Sequence, residues 1–153
     1  MDIDFEPVRE GAADALIALF RACHDEDGQV LSVRFEAAVR EIAQAQAQAE
    51  PLARAWFIRH GGKSVGYVVV TVGYSVEYGG RDGFIDDVYL IPEARGRGWG
   101  RQVIDFAVAE AARLGIRTLH LEVELNNDRA HALYQSAGFE ETGRRLMRRR
   151  LQP

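Results

Sequence analysis

The sequence predicts an α/β fold in the order β-α-α-β-β-β-α-β-α-β-β, and three observations carry that prediction. Apolar residues recur at helical spacing through residues 12–42 and again through 99–114. Between residues 53 and 91 the pattern changes to β-rich runs divided by glycine turns. A glycine-rich turn, Arg95-Gly96-Arg97-Gly98-Trp99-Gly100-Arg101, then leads from the last of these runs into a helix. With 153 residues, 47% of them hydrophobic, the chain can bury one core but not two full-size ones, so residues 1–153 are expected to form a single domain.

Residues 3–8 read as a short strand. Residues 12–23 place Ala15, Leu16, Leu19 and Phe20 on one helical face, and His24-Asp25-Glu26-Asp27-Gly28 ends that helix. A second helix is expected over about 33–49, with Phe35, Ala38, Val39 and Ile42 as its apolar stripe and an exposed Gln/Ala tail at 44–49. Trp56-Phe57-Ile58 and residues 65–72 form a hairpin around Gly61-Gly62-Lys63-Ser64, and residues 84–91 supply the next strand before Pro92 breaks it. Trp99, Val103, Phe106, Ala107, Ala111 and Leu114 then mark a helix that Gly115 closes. Residues 118–125 alternate, with Leu119, Leu121, Val123 and Leu125 on one face and Thr118, His120, Glu122 and Glu124 on the other. Asn127 or Asp128 caps a short helix to Ala137, and Gly138 ends it. The remainder reads as one or two strands, with the arginines of 144–150 on a solvated strand face.

Composition narrows the function classes. No run approaches the roughly 18 apolar residues of a membrane span, and Met1-Asp2-Ile3-Asp4-Phe5-Glu6 lacks the basic and apolar stretches of a signal peptide, so a cytoplasmic protein without membrane contact is expected. The single cysteine, Cys23, permits no internal disulfide and reads as a small buried residue. His24, His60, His120 and His131 show no metal-ligand spacing, so no metal is expected. A net charge of −4 argues against non-specific nucleic-acid binding. The charge is uneven: 8 basic against 15 acidic residues in 1–90, and 11 against 8 in 91–153. That balance suits a cationic ligand near the first part and an anionic one near the second.

The glycine-rich turn sits where backbone N–H groups are unpaired and the helix dipole favours an anion, and a phosphate is its natural guest. Glycine allows close backbone approach and a positive φ. A triphosphate-binding loop would need a Lys-Ser or Lys-Thr pair after these glycines, and none follows. A dinucleotide fingerprint would need glycine at Arg101, and the chain beyond is too short for a second nucleotide-binding half. A plain strand–helix turn would remain the alternative if the turn stood alone.

It is framed by Phe84-Ile85-Asp86-Asp87-Val88-Tyr89-Leu90-Ile91-Pro92 before it, Leu121-Glu122-Val123 after it, and Asn127-x6-Tyr134-x3-Gly138-Phe139 beyond. This arrangement resembles the GNAT superfamily of acyl-CoA-dependent N-acetyltransferases, whose pyrophosphate-binding Arg/Gln-x-x-Gly-x-Gly/Ala pattern is matched by Arg95-x-x-Gly98-x-Gly100. Residues 84–139 carry the motifs, and the N-terminal half matches in layout only. The resemblance implies a mixed, mostly antiparallel β-sheet flanked by helices and splayed between 84–91 and 118–125, with acetyl-CoA as co-substrate in the opening. A homodimer is compatible with it.

Carried over by position, the resemblance assigns backbone groups of Val88, Tyr89 and Leu90 to the pantetheine arm and thioester, and an N–H there to the oxyanion. Those of Gly96, Arg97, Gly98, Trp99, Gly100 and Arg101 go to the pyrophosphate, with Arg95 opening the motif, and Asn127 to the CoA arm. Tyr134 stands where the family places its general acid. An amine of pKa about 10.4 is almost wholly protonated at pH 7, so its deprotonation needs help. Glu122, Asp86 and Asp87 are the candidate carboxylates. Strict strand alternation would turn only one of Asp86 and Asp87 towards the thioester. His120 is a candidate relay, and the acidic stretch at His24–Asp27 would border the acceptor site. The expected reaction is acetyl transfer to a primary amine of a small molecule by direct attack in a ternary complex. A peptide N-terminus or protein lysine as acceptor, or a CoA-binding module without catalysis, are the alternatives.

Overall fold

The computed structural model describes residues 2–152. A five-stranded sheet is ordered β1-β2-β3-β4-β5, formed by β1 (Asp4–Pro7), β2 (Ala53–His60), β3 (Lys63–Ser75), β4 (Gly80–Leu90) and β5 (Thr118–His120). Strands β1 to β4 pair antiparallel in succession, and β5 runs parallel to β4. Helices α1 (Ala13–Asp27) and α2 (Phe35–Ala45) precede β2, α3 (Trp99–Arg113) links β4 to β5, and α4 (Asp128–Ser136) follows β5. Among the described residues no helix is long and apolar enough to cross a membrane.

Alternation along the strands feeds two cores. Trp56, Ile58, Val68, Val70 and Ile85 face α3, where Val103, Ile104, Ala107 and Ala111 are buried. Ala55, Phe57, Tyr67, Val69 and Tyr89 face α1 and α2, against Leu16, Ile17, Val39 and Ala43. Leu19 and Phe20 take part as expected, whereas Ala15 lies outside and Ile17 and Cys23 are buried instead. Helix α1 runs a turn further than its sequence suggests and stops at Gly28, whose φ of 63° a glycine adopts without strain. Helix α2 is shorter at both ends than the expected 33–49, and Val33 before it is exposed.

Two glycines fix how tightly β4 lies against β3. A Cβ on Gly66 would collide with the carbonyl oxygen of Tyr89, and one on Gly83 with the carbonyl of Thr71 and the side chain of Ile116. Backbone cannot yield as a side-chain tip can. Gly66→Ala is therefore expected to cost about 1–3 kcal/mol, or roughly 2–12 °C in Tm for a chain of this size. Thermal unfolding of the variant measures this, and an unchanged Tm would show that the strands can separate freely.

Two expectations are corrected. Residues 118–125 do not form one strand: pairing with β4 covers only Asp82↔Thr118, Gly83↔Leu119 and Phe84↔His120. Beyond His120 the chain diverges, and the gap is the splay. Among the described residues no strand follows α4 either, and residues 140–152 are exposed throughout. The edge strand that would receive them is three residues long, and Leu146, Met147 and Leu151 find no apolar surface. Arg144 instead holds the start of this segment to the β3–β4 turn through two hydrogen bonds of 2.7 Å to Glu77.

Candidate active site

Divergence of β5 from β4 leaves residues 85–90 with β3 on one edge and no strand on the other, among the described residues. Two cavities open there, of about 720 and 540 Å³, within the range of small-molecule sites. Cys23, Asp27, Val88, Asn127, Ala130 and Tyr134 line both, so they are two lobes of one cleft meeting at the middle of β4. The smaller lobe contains the glycine-rich turn, and the larger lies between β4, the chain beyond β5, and helices α1 and α2.

In the smaller lobe, Gly96 and Gly98 have φ of 74° and 77°, with open space where a Cβ would stand. Gly98 caps α3 without any side-chain bond, and the first-turn N–H groups of Trp99, Gly100 and Arg101 have no partner one turn back. No backbone bond takes the N–H of Gly96, Arg97 or Gly98 among the described residues. This is an anion cradle made of backbone. The arginine side chains of the turn are engaged elsewhere: Arg95 on Glu26 and the Leu90 carbonyl, Arg97 on the Glu93 carbonyl, Arg101 on Asp105 and the Ser136 carbonyl. Trp99 is buried and brings only its backbone. Arg129, in the first turn of α4, lines the lobe with no hydrogen bond or ion pair among the described residues. Sequence reading passed over it, although it lies two residues past Asn127.

Glu26 ties this lobe to α1. It accepts bonds of 2.6 Å from the Tyr89 hydroxyl and the Arg95 guanidinium, and both hold its carboxyl below the ordinary range. Burial, and after it the Glu26 carboxylate, pushes the Tyr89 phenol up to about 12. The expected acidic border of the acceptor site is thus split: Glu26 braces the turn, and Asp27 faces the cleft.

The larger lobe is lined by Asp27, Asp86, Asp87, Glu122 and Glu124, and by no lysine or arginine among the described residues. None of the five is ion-paired there to a lysine or arginine. Phe20, Phe35, Val39 and Ile42 supply its apolar wall. Both adjacent aspartates reach the cavity because the register slips between Val69 and Val70, which pair with Asp87 and Ile85 and leave Asp86 as an extra residue. The alternation argument, which allowed only one, fails at this bulge. Desolvation within the cleft raises both carboxyls above their usual range, although Asp86 keeps an exposed face, and the Tyr67 hydroxyl, donating to Asp87 Oδ2 at 3.0 Å, partly opposes the rise at Asp87.

Tyr134 stands between the lobes. Its hydroxyl has no hydrogen bond among the described residues, its ring packs edge-on to Phe139, and burial together with the Asp87 charge raises its pKa. Asn127 caps α4, its Oδ1 accepting from the Ala130 N–H at 3.1 Å, which fixes the carboxamide at the same junction. Cys23 is buried on the shared wall, and burial raises its thiol to about 11, so it stays protonated. His120 falls outside both lobes, between the rings of Tyr78 and Phe84 with Nε2 3.5 Å from Asp82, and the relay expected of it has no geometry.

The profile of the Acetyltransferase (GNAT) family matches residues 13–139. The uncharacterized N-acetyltransferase YycN of Bacillus subtilis is 40% identical over 67 residues, a stretch that covers 43% of this chain and 42% of that protein. The chain thus spans less than half the length of this curated relative. An integron cassette protein from the mobile metagenome of Cole Harbour Salt Marsh is 34% identical over 97% of this chain and 91% of its own, with a TM-score of 0.81. A predicted acetyltransferase from Clostridium acetobutylicum, crystallised with acetyl-CoA, shares the fold at a TM-score of 0.77 and 16% identity, over 96% of each chain. With the profile spanning more than four-fifths of its residues, the motifs and the splayed sheet coincide with a family match, and the chain belongs to the GNAT acetyltransferase family.

Proposed function

We propose that the protein transfers an acetyl group from acetyl-CoA to a primary amine of a small, positively charged molecule, by direct attack in a ternary complex. One observation carries this reading: a single cleft has an anion-binding lobe and a carboxylate-lined lobe that meet at Tyr134 and Val88.

The cradle fits a pyrophosphate. Gly96, Gly98 and the first turn of α3 present unpaired N–H groups to open space, and Arg129 adds a free positive charge beside them. The edge of β4 at Val88, Tyr89 and Leu90 has no strand beside it among the described residues and offers a pantetheine arm an extended backbone, with the Leu90 carbonyl already taken by Arg95. Acetyl-CoA supplies the activated thioester. The carboxylates of the larger lobe attract the protonated amine and favour its binding over neutral competitors. At pH 7 an amine of pKa about 10.4 forfeits about 4.6 kcal/mol if it must react as its rare neutral form, so a carboxylate takes its proton, directly or through one water. Asp86, Asp87 and Glu122, which line the larger lobe, are the carboxylates this reading assigns to the step. A backbone N–H of the β4 edge meets the carbonyl oxygen as negative charge develops on it. The new C–N bond forms as the C–S bond breaks, and Tyr134 gives its phenolic proton to the departing sulfur.

Free-thiol release from acetyl-CoA tests this reading with a panel of di- and polyamines, aminoglycosides, amino acids, aryl amines and short peptides. Release with the small cationic amines, at least about tenfold above neutral amines of equal size, is expected from the charge of the lobe. Release with peptides alone would transfer the acceptor assignment to a polypeptide. Silence throughout, with acetyl-CoA still raising Tm, would leave a CoA-binding module.

A further inference from the structure

Tyr67 belongs to no motif, yet it is fully buried in β3 and its hydroxyl reaches the carboxylate of Asp87. Its ring is stacked on Phe20, with centroids 4.3 Å apart and planes 11° from parallel, and lies against Tyr89 at 5.8 Å. A phenol clamped this way offers its proton from one fixed point. Asp86 and Glu122, by contrast, have no hydrogen-bond partner on their carboxylates among the described residues. We propose that Tyr67 is a positioning residue, holding the Asp87 carboxylate in the single orientation from which it accepts the amine proton. The inference rests on the acetyl-transfer reading above.

The groups facing Asp87 come from four directions. Tyr67 approaches from β3, Cys23 and His24 from α1, Tyr134 from α4 and Asp86 from its own strand, and Glu122 shares the cavity wall beyond β5. His24 Nδ1 donates to the Phe20 carbonyl at 2.7 Å, which leaves Nε2 as the ring atom free for the cavity side. Burial and the Asp86 charge raise the Asp87 carboxyl, while the Tyr67 hydroxyl and His24 lower it. Without the Tyr67 bond the carboxyl would hold its proton to a higher pH, and the base would be lost over that interval. It would also rotate freely. The phenol therefore keeps Asp87 charged at lower pH and keeps it aimed.

Tyr67→Phe removes one oxygen and leaves the stacked ring in place. With 1,4-diaminobutane as acceptor, the acidic limb of the kcat/KM profile is expected to move to higher pH, giving a deficit of about tenfold on that limb for each unit moved, which narrows as pH rises. A deficit of the same size at every pH would show a purely structural role and overturn the proposal. The carboxyl carbon-13 resonance of Asp87, titrated directly, should move its midpoint upwards in Tyr67→Phe. Replacing Tyr67 by 3-fluorotyrosine, a stronger hydrogen-bond donor, should move the midpoint downwards and serves if Tyr67→Phe does not fold. An unmoved midpoint in both overturns the proposal whatever the activity. A moved midpoint in a protein that acetylates no amine overturns the acetyl-transfer reading, and the catalytic role of this contact with it.

Discussion

Tyr134→Phe should lower kcat by about 100-fold or more while leaving acetyl-CoA affinity within about twofold, the magnitude expected for removing a general acid from a step that expels a thiolate. Loss of the hydroxyl alone is a sharp test because the ring keeps its place against Phe139 and on the wall common to both lobes. Burial and the neighbouring Asp87 charge both raise the pKa of the phenol. A raised pKa means that the donor form persists as pH climbs, so the wild-type profile should show no loss of this acid below about pH 10. The steady-state rate with the best amine of the panel, and the acetyl-CoA-induced rise in Tm, measure the two halves of the expectation. A kcat that stays within about twofold of wild type would remove Tyr134 from the proton path and leave the departing sulfur to a water.

Gly98→Glu should weaken acetyl-CoA binding by about 100-fold. Two causes add. Gly98 has a φ of 77°, which costs a side-chain-bearing residue about 1–2 kcal/mol, and the new carboxylate would stand in the open space that the cradle presents to an anion. At about 1.4 kcal/mol per tenfold, strain and repulsion of that combined order give the factor stated. Gly98→Ala separates them, since it retains the strain without the charge and should lose about tenfold or less. Titration calorimetry with acetyl-CoA reads both variants. Unchanged affinity in Gly98→Glu would mean that the pyrophosphate lies elsewhere, and the anion lobe would then need to be reassigned around Arg129.

The sequence discloses the smaller lobe almost completely, whereas of the larger one it offers Asp86, Asp87, Glu122 and the acidic stretch ending at Asp27 as separate candidates without showing that they converge, for a physical reason. An anion cradle of backbone N–H groups must be built from contiguous residues at a helix start, so residues 95–101 show it as a local motif, and Asn127 and Tyr134 lie at fixed offsets along one helix. The larger lobe is assembled from α1, α2, β4 and the chain beyond β5, and its charge appears only when Asp27, Asp86, Asp87, Glu122 and Glu124 are brought together. The charge balance by halves gave a partial view, because Glu122 and Glu124 come from the basic half. Tyr67, and the bracing role of Glu26 within the acidic stretch, were invisible for a related reason: each acts on a partner 20 or more residues away. Alternation misleads in two places. A one-residue bulge puts Asp86 and Asp87 in the same cavity, and residues 121–125 keep the strand pattern after leaving the strand. The terminal strands fail because apolar alternation describes what a segment could pair with, not whether an edge is offered to it.

The extra residue in β4 also bears on how this chain can change in length. Asp86 reverses the parity of the strand, so that Ile85 and Val88 both face the α3 core while Asp87 faces Tyr67 on the other side. Deletion of Asp86 itself would restore even pairing with every other residue of β4 still opposite its present partner, so it would cost the cleft one carboxylate and leave the faces unchanged. A single-residue deletion or insertion elsewhere in the strand would instead turn one flank over, bringing either apolar side chains or Asp87 onto the wrong face. Residues 46–51 and 140–152, which carry no ladder bonds, can gain or lose residues at little cost. Drift in length among descendants of this sequence is thereby steered to the connection before β2 and to the closing segment, and the span from the bulge to the glycine turn is held at a constant count.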